Sequence, residues 1–346
     1  MSPASPSAPC LPRLVVVGPT ATGKSALALD LAEKIQADEP ATRAEIINAD
    51  ASLLYCGMDI GTAKPSPAER ARVPHHQIDV LTVRDRASVA AFQRSARGDI
   101  DAVESRGNLP IIAGGSGLYV RALTDDLDFP GTDPAVRSRL SERAEQEGTV
   151  ALHAELARLD PVAAERVEAS NTRRIVRALE VIEITGRPFS ASLPRYEDIA
   201  PTVHLALRPR RDLLNRRIEA RARAMFLGPG TRPTAEEAPT LLTETTALLA
   251  RGLRQGPTAS QAIGYAQALA VLDGRMGVEE AIAATAQATR RLASYQAKWF
   301  RRDPRVHWLD VALTEAGELP VGERDRLVGQ ALRVVSDAEG VVGSNA

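Results

Sequence analysis

The stretch "LVVVGPTATGKSALALDLA", which begins at Leu14, limits the fold more than any other part of the chain. Four apolar residues without alternation run into a loop bounded by Gly18 and Gly23, and Lys24 and Ser25 then open an apolar-periodic segment. Such a run is a strand buried on both faces, and the period that follows is that of a helix. The spacing G-x-x-x-x-G-K-[ST] lets backbone N–H groups converge on an anion, and the helix N-terminus adds partial positive charge. Lys24 supplies a full charge, and Ser25 can ligate a magnesium ion bridging two phosphates. The motif specifies a diphosphate-bearing ligand and leaves open which one, because it reads only the phosphates.

Short apolar runs and helical patterns alternate through the first third of the chain. "EIINAD" (residues 45–50), "QIDVL" (77–81) and "LPIIAGG" (109–115) are expected strands, with helices over 25–37 and from about 88 to Gly107. Unalternating strands separated by helices predict a parallel sheet covered on both faces. From Asp133 the pattern turns helical. Asp133–Pro134 and Asp160–Pro161 each place an N-cap before a proline at the first helical position, and "NTRRIVRALEVIEITGRP" stops at Gly186. "TVHLALRP" (202–209) returns as a strand. A basic helix over 210–226, a turn-rich loop over 227–240, a capping box at Thr258 with Gln261 and a long helix over 278–301 follow. The expected organisation is an α/β core of 11–131 and 200–312, a helical insertion of 132–199, and disordered tails at 1–10 and 336–346.

Bulk properties narrow the function classes. The length, 346 residues, fits about two domains. No apolar run approaches the ~18 residues of a membrane span, and the proline- and serine-rich start lacks the apolar centre of a signal peptide. A cytoplasmic protein without a membrane partner is expected. Two cysteines, Cys10 and Cys56, are too few for a disulfide framework or a four-ligand zinc site. The adjacent His75 and His76 would diverge on any regular element, which argues against a metal pair. The net charge of −1 hides two basic stretches. Seven arginines lie between Leu205 and Arg223, and Arg290, Arg291, Lys298, Arg301, Arg302 and Arg305 crowd the end of the long helix. Such clusters are the footprint of polyanion binding. The plainer account is a solvated face, or cations completing the dipole of a helix that begins with Glu279 and Glu280.

Reactive groups gather at the expected carboxyl ends of the strands. Asp50 closes the second strand, where a carboxylate points into the crevice that binds ligands in α/β folds. A base, a magnesium ligand and an N-cap are all open to it. Lys64, in the turn-rich "DIGTAKP", adds a cation near the same edge, and "AGGSGLY" brings Ser116 into a second glycine loop. Triphosphatases normally close an apolar strand with a magnesium-holding acid. "LPIIAGG" ends in glycine, which disfavours a motor or signalling NTPase and leaves small kinases and other diphosphate users open.

These pieces resemble the tRNA dimethylallyltransferases (tRNA isopentenyltransferases). "GPTATGKS", "INADASLLYCGMDIGTAKP", "PHHQIDV", "AGGSGLYVRAL", "NTRRIVRALEVIEITGRPFS", "GLRQGPTASQAIGYAQAL" and "KWFRRDPRVHWLD" occur in that family's order over roughly residues 13–310. The resemblance implies an α/β fold, a P-loop NTPase-like parallel sheet core flanked by helices, with an inserted all-helical domain contacting tRNA. It implies transfer of a dimethylallyl group from dimethylallyl diphosphate to the N6 amine of the adenosine 3′ of the anticodon, with pyrophosphate released. Mg2+ is the implied cofactor, the anticodon stem-loop of tRNA the partner, a monomer the implied state, and the target base is flipped into the protein.

By the same likeness Gly18, Pro19, Thr20, Ala21, Thr22, Gly23, Lys24 and Ser25 hold the diphosphate, with Ser25 on the metal. Asp50 takes the amine proton, and Lys24, Ser116 and Arg221 complete the catalytic set. The implied tRNA contacts are Asp50, Ala51, Ser52, Leu53, Leu54, Tyr55, Ser116, Asn171, Thr172, Arg173, Arg174, Arg290, Arg291, Gln296 and Lys298. The chain departs from the family at several places. Ser116 stands where threonine is commoner and Leu54 where glutamine is common. Ser294 and Tyr295 stand where basic residues are usual, and Arg223 where an acid or histidine is frequent. Two rival readings share the loop and Asp50. An adenylate isopentenyltransferase acting on free nucleotide needs neither the insertion nor both basic stretches, and a P-loop small-molecule kinase would use Asp50 for substrate or magnesium.

Overall fold

The run after Arg13 has no polar side to turn outward, and Leu14 through Val17 are 0% exposed in β1 (Arg13–Val17). Among the described residues five strands join it: β2 (Ala44–Asn48), β3 (His75–His76), β4 (Leu109–Ala113), β5 (Thr202–Pro209) and β6 (Val306–Val311). Their order is β3-β2-β4-β1-β5-β6, and every pairing is parallel. The computed structural model describes residues 11–192, 196–228 and 239–343. The expected tail 1–10 and residues 229–238 of the expected loop lie outside them.

Parallel strands need long crossovers, and helices supply them. In chain order these are α1 (Lys24–Asp38), α2 (Pro67–Arg72), α3 (Val89–Ser105) and α4 (Gly117–Thr124), then α5 (Pro134–Glu147), α6 (Thr149–Leu159), α7 (Pro161–Arg166) and α8 (Thr172–Thr185). After β5 come α9 (Arg211–Leu227), α10 (Leu241–Ala250), α11 (Tyr265–Leu272) and α12 (Val278–Phe300), and α13 (Glu323–Gly343) follows β6. The chain divides into two compact units, one of Met1–Thr124 with Asp198–Ala346 and one of Asp125–Glu197. Within the first, Ile199 N–H donates to Thr124 O at 2.8 Å.

Among the described residues, the second unit holds α5 to α8 and a 3-10 turn over Phe189–Ser192. Asp133, Asp160 and Asn171 cap helices with their side chains, and Gly186 ends α8 in the left-handed region. Leu140, Leu152, Leu156, Ile175 and Leu179 form its core. Within it Glu180 is fully buried and accepts from Arg137, Arg177 and the Asp133 N–H, so its charge is paired.

Three expectations are corrected, and one strand is added. The strand placed at 77–81 is the two-residue β3 just upstream. Gln77 and Asp79 have φ of 59° and 58°, a left-handed backbone that ends the ladder. The Thr258 capping box does not form; α11 begins at Tyr265, where Gln267 Oε1 accepts the Gly264 N–H at 2.8 Å. β6 closes the far edge of the sheet, although "VHWLDV" carried no strand expectation. Residues 336–343, expected as tail, belong to α13, whose Leu327, Val328, Ala331 and Val335 bury against the core that Leu27, Leu31 and Ile35 of α1 also enter.

Candidate active site

The loop after β1 gets its shape from three left-handed residues, Gly18 (φ 131°), Ala21 (65°) and Gly23 (98°). A Cβ on Gly18 would stand 2.9 Å from the backbone oxygen of Leu207 in β5, so both φ and space require glycine there. Gly23 gives α1 no side-chain cap, and the first N–H groups of a helix have no acceptor within it. They are left for an anion. Pro19 O gathers the Lys24 ammonium at 2.9 Å and the Thr22 hydroxyl at 2.8 Å. Burial pushes the Lys24 pKa down to about 8; the Asp50 carboxylate opposes that fall and the Arg221 charge adds to it. Ser25, the next residue, is exposed.

Asp50 sits two residues past β2 because Asn48 shapes the turn. Asn48 Oδ1 accepts the Asp50 N–H at 2.8 Å, and its amide donates to the carbonyls of Asp50 and Gln77. Asp50 Oδ1 in turn caps a 3-10 turn over Ala51–Leu54, accepting from Ser52 N at 3.1 Å and Ser52 Oγ at 2.7 Å. Oδ2 accepts no hydrogen bond among the described residues and faces Gly115, where a Cβ would lie 3.5 Å away. One oxygen builds the turn and the other is available to a ligand.

The third loop follows β4. Gly114 donates to Val16 O and lies so close to Ala49 that a Cβ would overlap its backbone. Ser116 Oγ accepts the Ala51 N–H at 3.2 Å. Gln296, buried on α12, locks the arrangement: its Oε1 accepts Thr20 N–H at 2.7 Å and its amide donates to Gly115 O at 2.9 Å. The carboxyl ends of β1, β2 and β4 thus converge, as expected for a ligand crevice in an open parallel sheet.

Two arginines of α9 enter from the side. Arg221 donates to Thr62 O at 3.3 Å, and burial lowers its pKa while the Asp50 charge opposes the fall. Arg217, one turn earlier, donates to Ala21 O at 2.9 Å and Gly317 O at 3.1 Å, pinning the first loop. The sequence reading missed Arg217, although its i, i+4 spacing to Arg221 was visible. Glu244 was also missed. It accepts the Asp59 and Ile60 N–H groups at 3.1 and 2.8 Å and the Tyr265 hydroxyl at 2.5 Å, so it holds the "DIGTAKP" turn. Tyr119 completes the crevice. Burial, with the Tyr55 hydroxyl and the Asp50 charge nearby, pushes its pKa up to about 12, which keeps it a protonated donor.

The structure brings together Gly18 to Ser25, Asp50, Ala51, Ser52, Ser116 and Arg221. It does not offer every expected contact to a macromolecule. Leu53, Leu54 and Tyr55 are buried, because the turn that presents Asp50 must anchor its apolar residues inside. Gln296 spends both ends of its amide on the loops rather than on a surface. Lys64 is buried between Asp79 at 2.5 Å and Asp59 at 2.7 Å, so it adds no free cation. Asn171, Thr172, Arg173 and Arg174 open α8 in the second unit, with Asn171 as N-cap and both arginines exposed.

The two basic stretches differ. In the first, Arg208, Arg210, Arg216 and Arg223 pair with Asp310, Asp212, Glu315 and Glu279, which neutralises most of it. In the second, Arg290, Arg291, Lys298, Arg301 and Arg302 have no carboxylate partner among the described residues, whereas Arg305 pairs with Asp198 and Asp303. No group of three or more His, Cys, Asp or Glu among the described residues could hold a metal ion by itself. No described helix is long and apolar enough to cross a membrane.

The family described as IPP transferase matches residues 53–303. A tRNA dimethylallyltransferase of Streptomyces coelicolor is 51% identical over 315 residues, covering 91% of this chain and 95% of its own. One from Kineococcus radiotolerans is 52% identical over 301 residues, covering 87% and 91%. The crystal structure of the tRNA isopentenylpyrophosphate transferase of Bacillus halodurans superposes with a TM-score of 0.63 at 33% identity, over 96% of this chain and 99% of that one. With identity above half, sustained along nearly the whole chain, and the same fold throughout, the protein belongs to the IPP transferase family.

Proposed function

We propose that the protein transfers a dimethylallyl group from dimethylallyl diphosphate to the N6 amine of the adenosine 3′ of the anticodon in tRNA, releasing pyrophosphate. The observation that carries this reading is a single crevice in which the cations of Lys24, at the anion-holding loop, and of Arg221 interact with the charge of Asp50, one of whose oxygens is free of hydrogen bonds among the described residues. A leaving diphosphate and a proton acceptor are what alkylation of a weakly nucleophilic amine requires. As the allylic C–O bond breaks, charge grows on the diphosphate, and preorganised N–H groups with two cations stabilise it. As the C–N bond forms, the amine becomes acidic, and Asp50 Oδ2 accepts its proton. The phenol of Tyr119 and the hydroxyl of Ser116 position the base.

Mg2+ fits this site as an ion carried by the diphosphate. Magnesium takes one or two protein oxygens and fills its octahedron with phosphate and water. The exposed Ser25 hydroxyl at the start of α1 would hold it, and it would supply further neutralisation of the departing diphosphate. The acceptor is read as tRNA rather than free nucleotide because the end of α12 carries cations that nothing in the described protein neutralises.

Incubation with dimethylallyl diphosphate, magnesium and unmodified tRNA should add the mass of one prenyl group to one adenosine. Transfer to free AMP alone would replace the tRNA reading, and ATP-dependent phosphoryl transfer without prenyl transfer would replace the reaction class.

A further inference from the structure

Tyr295 is the exposed aromatic residue of α12, with 61% of its surface open to solvent. Leaving an aromatic ring outside forfeits apolar burial, and nothing in the described protein covers it. Its ring stands 6.1 Å from that of Trp299, tilted by 42°. Trp299 is itself wedged against Gly117 of α4, so closely that a Cβ on Gly117 would overlap the indole nitrogen. The tyrosine therefore rests on a fixed support and keeps a face for a partner.

Its surroundings specify the partner. At 3.6 residues per turn, Arg291, Tyr295 and Lys298 fall on one face of α12, with Leu292 and Trp299 at its edge. Arg291 and Lys298 are exposed and have no carboxylate partner among the described residues, and Leu292 is 38% exposed. An aromatic platform between unpaired cations matches an unpaired nucleotide, whose base stacks on the ring while flanking phosphates meet the cations. The position is also next to the reaction: Gln296, the following residue, reaches Thr20 N–H and Gly115 O in the crevice.

We propose that Tyr295 is a stacking platform for an unpaired base of the RNA substrate beside the target adenosine, held by Arg291 and Lys298 on either side. The inference rests on the tRNA reading of the site. Withdrawing an exposed ring from water between a base and Trp299 adds affinity that does not depend on salt, whereas each phosphate contact does.

The test uses the full chain with an unmodified tRNA transcript, and binding and prenyl transfer are measured together. Tyr295→Ala should weaken tRNA binding and raise its KM on the order of tenfold, the scale of losing one base stack. Tyr295→Phe should bind like the parent, and the KM for dimethylallyl diphosphate and the thermal midpoint should not move. The salt slope of binding should be unchanged in Tyr295→Ala and shallower by about one in Lys298→Ala. Parental affinity in Tyr295→Ala overturns the platform while leaving tRNA prenylation standing. Weakening by Tyr295→Phe as severe as by Tyr295→Ala also overturns it, because a hydroxyl contact and not stacking would then be at work. Loss of self-association with unchanged tRNA affinity would assign the face to a second copy instead. A parent that neither binds nor prenylates tRNA removes the functional reading itself.

Discussion

Lys24 holds its charge in a setting that disfavours it, and a diphosphate reverses the balance. Its pKa of about 8 in the free protein arises mainly from burial. A bound dianion favours the ammonium and moves the pKa back up, so binding above pH 8 takes up a proton. The expected result is a kcat/KM for the prenyl diphosphate that falls as pH rises through about 8, with a limb at higher pH for kcat; Lys24→Arg should abolish the limb in kcat/KM. A flat profile to pH 9.5 in the parent would exclude Lys24 as that group. The same shift acts on stability with a definite sign. Because the unfolded chain binds this proton more tightly, the destabilisation is full below about pH 8 and is lifted as pH climbs toward the ordinary value of 10.5. For Asp50 the two oxygens can be separated by substitution. Asp50→Asn keeps an acceptor for Ser52 and removes the base, so turnover should fall by about 10²–10⁴-fold with the tRNA Kd unchanged. Normal turnover in that variant would take the proton-accepting role away from Asp50.

Elements that were legible from the sequence are those whose signals are local. β1, its glycine loop and α1 were visible as one unit, and β5 was placed to the residue, because a continuous apolar run bounded by turn residues has few other uses. β3 was misplaced because its end is set by a distant partner: Asn48 takes the Gln77 carbonyl and forces a left-handed turn where a strand looked natural. Glycines show the same contrast. Gly98→Ala, in the exposed middle of α3 with open space around it, should stabilise by about 0.5–1 kcal/mol through helix propensity. Gly114→Ala would drive a methyl into the Ala49 backbone, which cannot yield as a flexible side chain would. A loss of at least ~1–3 kcal/mol is expected in urea unfolding, with activity falling as the Asp50 and Ser116 loops separate. If both substitutions behaved alike, the close approach of the two loops would not be a packing constraint.

For the whole molecule, the segment from Val306 to Gly343 matters more than its composition suggested. β6 and α13 complete the sheet edge and one helical layer, and Leu327 is 4% exposed within the main core. Leu327→Ala should therefore cost about 2–5 kcal/mol, as for other buried leucines, although the residue lies far from the crevice. A thermal midpoint within 1 °C of the parent's would show that this helix is dispensable. The site divides along the same line. Gly18–Ser25 and Asp50 declare themselves because the groups that make each feature are neighbours in the chain, and backbone geometry alone determines what they present. Gln296 lies 276 residues from Thr20, and no local pattern marks an amide that will bridge two loops. Arg217, Glu244 and Tyr119 acquire their roles in the same way, from what packing sets beside them. The sequence by itself determined the anion cradle, the carboxylate and the layered α/β plan, since these follow from spacing and periodicity. Only the tertiary structure decided which cations stay unpaired, which oxygen of Asp50 is free and which aromatic ring is left outside, because each depends on partners distant along the chain.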